Sequence, residues 1–180
     1  MNWDHPDDAE QHIRSLGEDW SSRFVQPYYL SWMSTNALDQ GRHGLLPEVR
    51  DRAQELDVDT IRVMLACHWR VQVMGAWYAT AHNTPALTGA VNDSIGRCYG
   101  HLTAAPLAVA ALQRPDDRTI DRLRDFRDQY AETEPASARF MVAALSKLGA
   151  TERDEPVESD SLTILDRMLG LGQLLQKPNI

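Results

Sequence analysis

The stretch CHWRVQVMGAWYATAHN, Cys67 to Asn83, holds two Trp, one Tyr, two His, one Cys and one Arg. A thiol beside an imidazole is the raw material of nucleophilic catalysis. Cys and His are also metal ligands, and an Arg among aromatic rings can receive an anion. Placed on one helix over 60–82 at about 100° per residue, Val63, Cys67, Val71, Met74, Trp77, Tyr78 and Ala81 share a face, with Arg70 among them. Leu65, Trp69 and Ala76 fall opposite, near Gln72. Apolar residues on both sides describe a helix packed on both sides, so most of this stretch reads as core wall.

Arg70 is the exception. A charge in the centre of an apolar face needs a partner, and Asp93, Asp51 and Glu48 are the candidates. The functional alternative is an Arg that lines a pocket for an anionic group. His68 points away from that face, as a rim histidine rather than a base. His82 sits at the helix end, where the macrodipole favours a cation.

Other constellations carry less. Cys98 and His101 lie three apart in RCYGH, and with Cys67 and His68 they could be imagined as a zinc site. Their spacing fits no standard finger or ribbon, and Gly96 and Gly100 beside them suggest close helix approach. No metal and no cofactor is expected. Asp57 and Asp59 have the spacing of paired phosphohydrolase aspartates but lack the preceding apolar strand, so QELDVDTIR reads as a helix end followed by a new N-cap. The sequence has no Gly-x-Ser-x-Gly elbow, no Gly-rich phosphate loop and no His-Glu-x-x-His. No residue is assigned a catalytic role. Asn92-Asp93-Ser94 matches the glycosylation pattern, which matters only in a secreted protein.

The segment RFVQPYYLSWMS (23–34) gathers Phe24, Tyr28, Tyr29 and Trp32 around Pro27. Tyr28 and Trp32, four apart, share a face. Such density suits either a core cap or an interface hot spot.

These residues need elements to hold them. Strand signals are nearly absent, whereas helix punctuation is frequent: Pro47, Thr84-Pro85, Pro115 with Asp116 and Asp117, Glu134-Pro135, and Gly149 as a stop. The helices expected are 7–16, 19–35 with a disturbance at Pro27, 46–56, 60–82, 85–93, 96–113, 117–131, 136–148 and 159–175. In 116–130, five Asp and four Arg cover the solvent side of a helix. ERDEPVESD (152–160) reads as a linker. The domain organisation is thus a single helical domain over 1–150, then a charged linker and a C-terminal helix over 151–180 that docks or binds a partner. Three Ala-rich stretches recur about every 30–35 residues, which gives an all-α, HEAT-like or armadillo-like arrangement of antiparallel helix pairs, with an irregular α-bundle as the alternative.

Composition sets the outer limits. The chain has 180 residues, a net charge of −8 and 43% hydrophobic residues, ordinary for one folded domain. Charge is uneven: −7 over 1–60, +3 over 61–114 and −4 over 115–180. That balance disfavours phosphate-backbone binding. A nucleic-acid role would need Arg62, Arg70, Arg97 and Arg114 to converge on one surface. The acidic N-terminus lacks the apolar core of a signal peptide, and two cysteines make no disulfide framework. A cytoplasmic location is expected, with no membrane partner.

Arg23, Phe24, Val25, Pro27, Tyr28, Tyr29 and Leu30, with Trp69, Arg70, Gly75, Ala76 and Trp77, form a pattern that resembles a family of uncharacterised bacterial all-α proteins. The resemblance covers roughly residues 20–150. It implies an all-α, HEAT-like fold and supplies no activity or catalytic residue. The part after Gly149 departs from the family pattern.

Two functions follow as expectations. The first is a non-enzymatic protein-binding module, concretely an immunity or antitoxin-like protein that neutralises a basic toxin through Tyr28 and Trp32; self-association is compatible with it. The second is a ligand-binding or enzymatic pocket between helices, lined by Tyr28, Tyr29, Arg70, Trp77, Tyr78 and His101, with His68 at its rim. An Arg70 exposed in a cleft favours the pocket. An Arg70 buried on one carboxylate removes it.

Overall fold

A computed structural model describes residues 5–39, 44–152 and 155–177. It is all-helical, with no strand among the described residues. In chain order the α-helices are α1 (Pro6–Ser15), α2 (Trp20–Phe24), α3 (Tyr29–Trp32), α4 (Leu46–Glu55), α5 (Val58–Ala66), α6 (Trp69–His82), α7 (Thr88–Ile95), α8 (Ala104–Gln113), α9 (Asp117–Tyr130), α10 (Pro135–Lys147) and α11 (Ser159–Leu175). Among the described residues, no helix is long and apolar enough to cross a membrane.

The local chemistry of the caps explains several boundaries. Asp57 is extended and its carboxylate accepts the Thr60 N–H at 2.7 Å, which starts α5. Asp116 and Thr119 form a reciprocal capping box at α9. Asn92 extends that box into the core. Its amide donates to Asp116 at 2.9 Å and its carbonyl accepts from the Thr119 hydroxyl at 2.9 Å, so α7 and α9 are fastened by polar groups that satisfy one another. Gly149, at φ +65°, ends α10 in the left-handed conformation.

The helix expected over 60–82 is two helices. Cys67 and His68 are both extended, with ψ of 177° and 165°. α5 and α6 fold against one another across this two-residue joint, and Gly75 permits it. A Cβ on Gly75 would lie 2.9 Å from Met64 Cβ and 3.0 Å from the Leu65 nitrogen. Other differences are smaller. Pro27 divides the 19–35 segment into α2 and α3. The 85–93 segment begins with a 3₁₀ turn at Pro85–Leu87, and of the 96–113 segment only Ala104–Gln113 is α-helix, after a 3₁₀ turn at Gly100–Leu102.

α6 is the centre of the molecule. Gln72 through Thr80 are all buried, because α3, α4, α5, α7, α8 and α11 all pack on this helix. Trp77 donates its indole N–H to the Trp32 carbonyl at 2.8 Å, and Tyr78 donates its hydroxyl to the Phe24 carbonyl at 2.7 Å. These two bonds give partners to carbonyls that the short helices α2 and α3 leave over. α11 docks along α4, α6, α8 and α10. Leu165, Met168, Leu171 and Leu175 are its buried face, and Gly172 brings it close to Thr80.

The linker ahead of α11 is also held. Arg127 on α9 reaches Glu152 at 3.1 Å and Glu155 at 2.9 Å, and Arg124 donates to the Ala150 carbonyl. Residues 153 and 154 of the expected linker lie outside the described residues.

Candidate functional site

A cleft of about 450 Å³ opens between α1, the aromatic segment and the start of α6. Ile13, Val25, Tyr29 and Val71 give it apolar walls, while Glu10, Arg14, Ser21, Gln26, His68 and Arg70 supply the polar ones. Its size is within the usual range for small-molecule sites.

Arg70 is the second residue of α6 and is exposed. The break at Cys67-His68 starts a new helix and resets its phase, so Arg70 leaves the apolar face that a continuous helix would give it. Its guanidinium lies over the Trp69 ring, 4.3 Å from the centroid, and 5.5 Å from the Tyr29 centroid. Tyr29 and Trp69 meet edge to face at 5.4 Å and 74°. The Arg therefore rests on a shelf of two packed rings. It makes no ion pair among the described residues. Of the partners expected for it, Asp93 pairs with Arg118 at 2.7 Å, and Glu48 faces the Tyr28 hydroxyl at 3.5 Å. The first turn of a helix is also the positive end of its dipole, where a cation is disfavoured unless an anion joins it.

Glu10, which lines the cleft, is engaged with Arg14 at 3.3 Å. His68 has both ring nitrogens in use. Nε2 meets the Asp7 carboxylate at 2.9 Å and Nδ1 meets the Tyr99 hydroxyl at 2.9 Å. A carboxylate only accepts, so the neutral ring carries its proton on Nε2 and takes the phenol proton at Nδ1. The bond from His68 holds the Asp7 carboxyl below its ordinary value, while burial pushes the Tyr99 phenol up. The trio is a clasp between α1, the α5–α6 joint and the segment after α7. With both nitrogens bonded, His68 has none to offer a ligand.

The structure separates the other expected site residues. Tyr28, Trp32, Trp77 and Tyr78 are 3%, 2%, 0% and 0% exposed. They cannot be contact residues for a partner or a ligand in this fold, and Tyr28 and Trp32 belong to the core cap that was the alternative reading. The reason is the pair of carbonyls that Trp77 and Tyr78 bind, which draws the whole 24–32 segment down onto α6. His101 stands elsewhere, in a groove of about 310 Å³ with Phe140, Arg139 and Ser34. Of the expected set, Tyr29, His68 and Arg70 line one cleft, while Trp32 and Trp77 meet inside the core. The sequence reading missed the α1 wall. Its signal was the Ala9 and Ile13 spacing, which marks a buried stripe but not what it faces.

The thiols are buried. The Cys67 thiol donates to the Val63 carbonyl, and that of Cys98 sits 3.2 Å from the Thr103 hydroxyl. Burial pushes both up to about 12, far from a reactive thiolate. Among the described residues no three His, Cys, Asp or Glu side chains come together as a metal site. Arg62 is held by Asp59 and the Ala86 carbonyl, and Arg114 by the Asn83 carbonyl.

No family model, no curated protein and no solved structure matches the chain.

Proposed function

We propose that this protein binds a small ligand in the α1–α6 cleft and holds its anionic group at Arg70. One observation carries the reading: an exposed guanidinium, seated on Trp69 and Tyr29 at the cleft, with no carboxylate partner among the described residues. Held on two rings, it loses little side-chain freedom when it binds. The reading is of a binding site, since the one imidazole at the cleft is bonded at both nitrogens. The test is a thermal-shift screen of anionic and neutral small molecules against the wild type and Arg70→Gln. Stabilisation by anions that the variant loses supports the reading; equal shifts in both proteins refute it.

The protein-binding reading, an immunity or antitoxin-like module for a basic partner, keeps the support of a net charge of −8 and loses Tyr28 and Trp32 as its hot spot. A stoichiometric basic protein retained from native lysate would restore it. Within the all-α class we favour the irregular bundle over a HEAT-like array. Solenoid repeats touch only their neighbours, whereas α11 returns to α4 and α6. The resemblance to the bacterial family is part of this proposal only through the Tyr29, Trp69 and Arg70 positions that it shares.

A further inference from the structure

We infer that the ligand of this cleft is a monocarboxylate with a flat apolar body, an inference that rests on the cleft being a binding site. Three features define the class. The first is the shape of the cation. A guanidinium carries its N–H donors in its own plane as a fixed fork, and that of Arg70 is exposed at the cleft, 4.3 Å from the Trp69 centroid. Such a fork matches a planar carboxylate, which can take two parallel hydrogen bonds.

The second is the charge count. Glu10 and Arg14 neutralise each other at 3.3 Å, which leaves one uncompensated positive charge, Arg70. The rim adds negative charge, because His68 holds the Asp7 carboxylate 2.9 Å from its Nε2. A phosphate monoester or a dicarboxylate would bring a second negative charge toward Glu10 and Asp7 with no cation to meet it. A monoanion matches the site.

The third is the apolar wall beside the charge. Tyr29 and Val71 are half-buried at the cleft, over a floor of buried Ile13 and Val25, so an apolar body would cover the part of Tyr29 and Val71 that solvent still reaches. Removal of that apolar area from water favours binding. The Tyr29 ring, fixed by Trp69, offers an edge or face to a flat ring. Ser21 and Gln26, at the same cleft, are placed to hydrogen-bond a substituent on that body.

The experiment is calorimetric titration of the full chain at neutral pH with acetate, hexanoate, benzoate and 2-naphthoate, with benzamide and 2-naphthamide as neutral twins, and with inorganic phosphate. The expected order is naphthoate tightest, then benzoate and hexanoate, with acetate and phosphate without measurable heat. Each amide should bind at least ten-fold more weakly than its acid. Arg70→Gln should lose at least ten-fold toward naphthoate, and Arg70→Lys should recover only part of it, since a point charge lacks the planar fork. Arg70 is exposed, so both variants should fold, and their circular dichroism checks this. If amides bind as well as acids, the carboxylate inference falls while the cleft stands. If phosphate binds more tightly than any carboxylate, the inference falls and a dianion site replaces it. If no probe binds, the cleft reading and the inference fall together.

Discussion

Met64 and Gly75 meet where α5 folds against α6, so close that a Cβ on the glycine would lie 2.9 Å from that of the methionine. Both residues are buried, and the obstructing atoms are backbone or Cβ, which cannot swing away. In an unobstructed helix Gly→Ala stabilises by about 1 kcal/mol. Here the overpacking cost, about 1–3 kcal/mol, should exceed that gain. Gly75→Ala is therefore expected to lower stability in urea unfolding, and a stability equal to or above wild type would contradict the close crossing.

Tyr78→Phe should cost about 1–3 kcal/mol, because the buried Phe24 carbonyl loses the hydroxyl that it accepts at 2.7 Å. The ring stays, so no cavity opens. The same variant should loosen the 24–32 segment. Hydrogen exchange in that segment would rise relative to α9 if Tyr78 is what holds it down.

Cys67 and Cys98, both pushed up to about 12 by burial, should resist a thiol reagent at pH 8 in the native protein and react fully after denaturation. The sign of the linkage follows. Each thiol ionises near 9.0 when unfolded, so the stability it contributes is complete below pH 9 and declines as pH rises toward 12. Rapid labelling of either thiol in the folded protein would contradict its burial.

Arg127→Met should destabilise by about 1–3 kcal/mol. The Arg127 side chain is 12% exposed and that of Glu155 14%, so this pair is shielded, unlike the open ion pairs elsewhere on α9. Removing the cation strands the Glu155 carboxylate. The loss should be partly recovered in Arg127→Met with Glu155→Gln, and a double-mutant cycle in urea measures the coupling. Additive losses would mean that the linker is not held here.

Asp57→Ala should cost about 1 kcal/mol at neutral pH through the lost N-cap of α5. The Thr60 backbone N–H holds the Asp57 carboxyl below its usual 3.8. A lowered folded value means that the contribution is present above about 3.8 and fades as pH falls through the folded value. The stability gap between wild type and variant should therefore narrow below pH 4. A gap independent of pH would point to a different cause.

The sequence by itself determined the helical class, most helix boundaries and the core character of the 67–83 stretch. Prolines, capping side chains and apolar spacing act within a few residues of themselves, so they are legible without a fold. A new N-cap within QELDVDTIR and Gly149 as a stop were read in this way; the cap falls at Asp57, ahead of the helix start expected at 60, and Gly149 ends α10. Gly75 was read only as part of a resemblance, although a glycine amid large buried residues marks a close crossing. Without that crossing the joint at Cys67-His68 could not be seen, and Arg70 was assigned to the wrong face. The cleft itself was decided by tertiary structure alone. Its walls come from α1, the 21–29 segment and the start of α6, which are separated by up to about sixty residues of chain and brought together because the shared burial of Ile13, Val25 and the residues around them removes apolar surface from water. Burial of that kind depends on which faces meet across the molecule, and no local pattern encodes it.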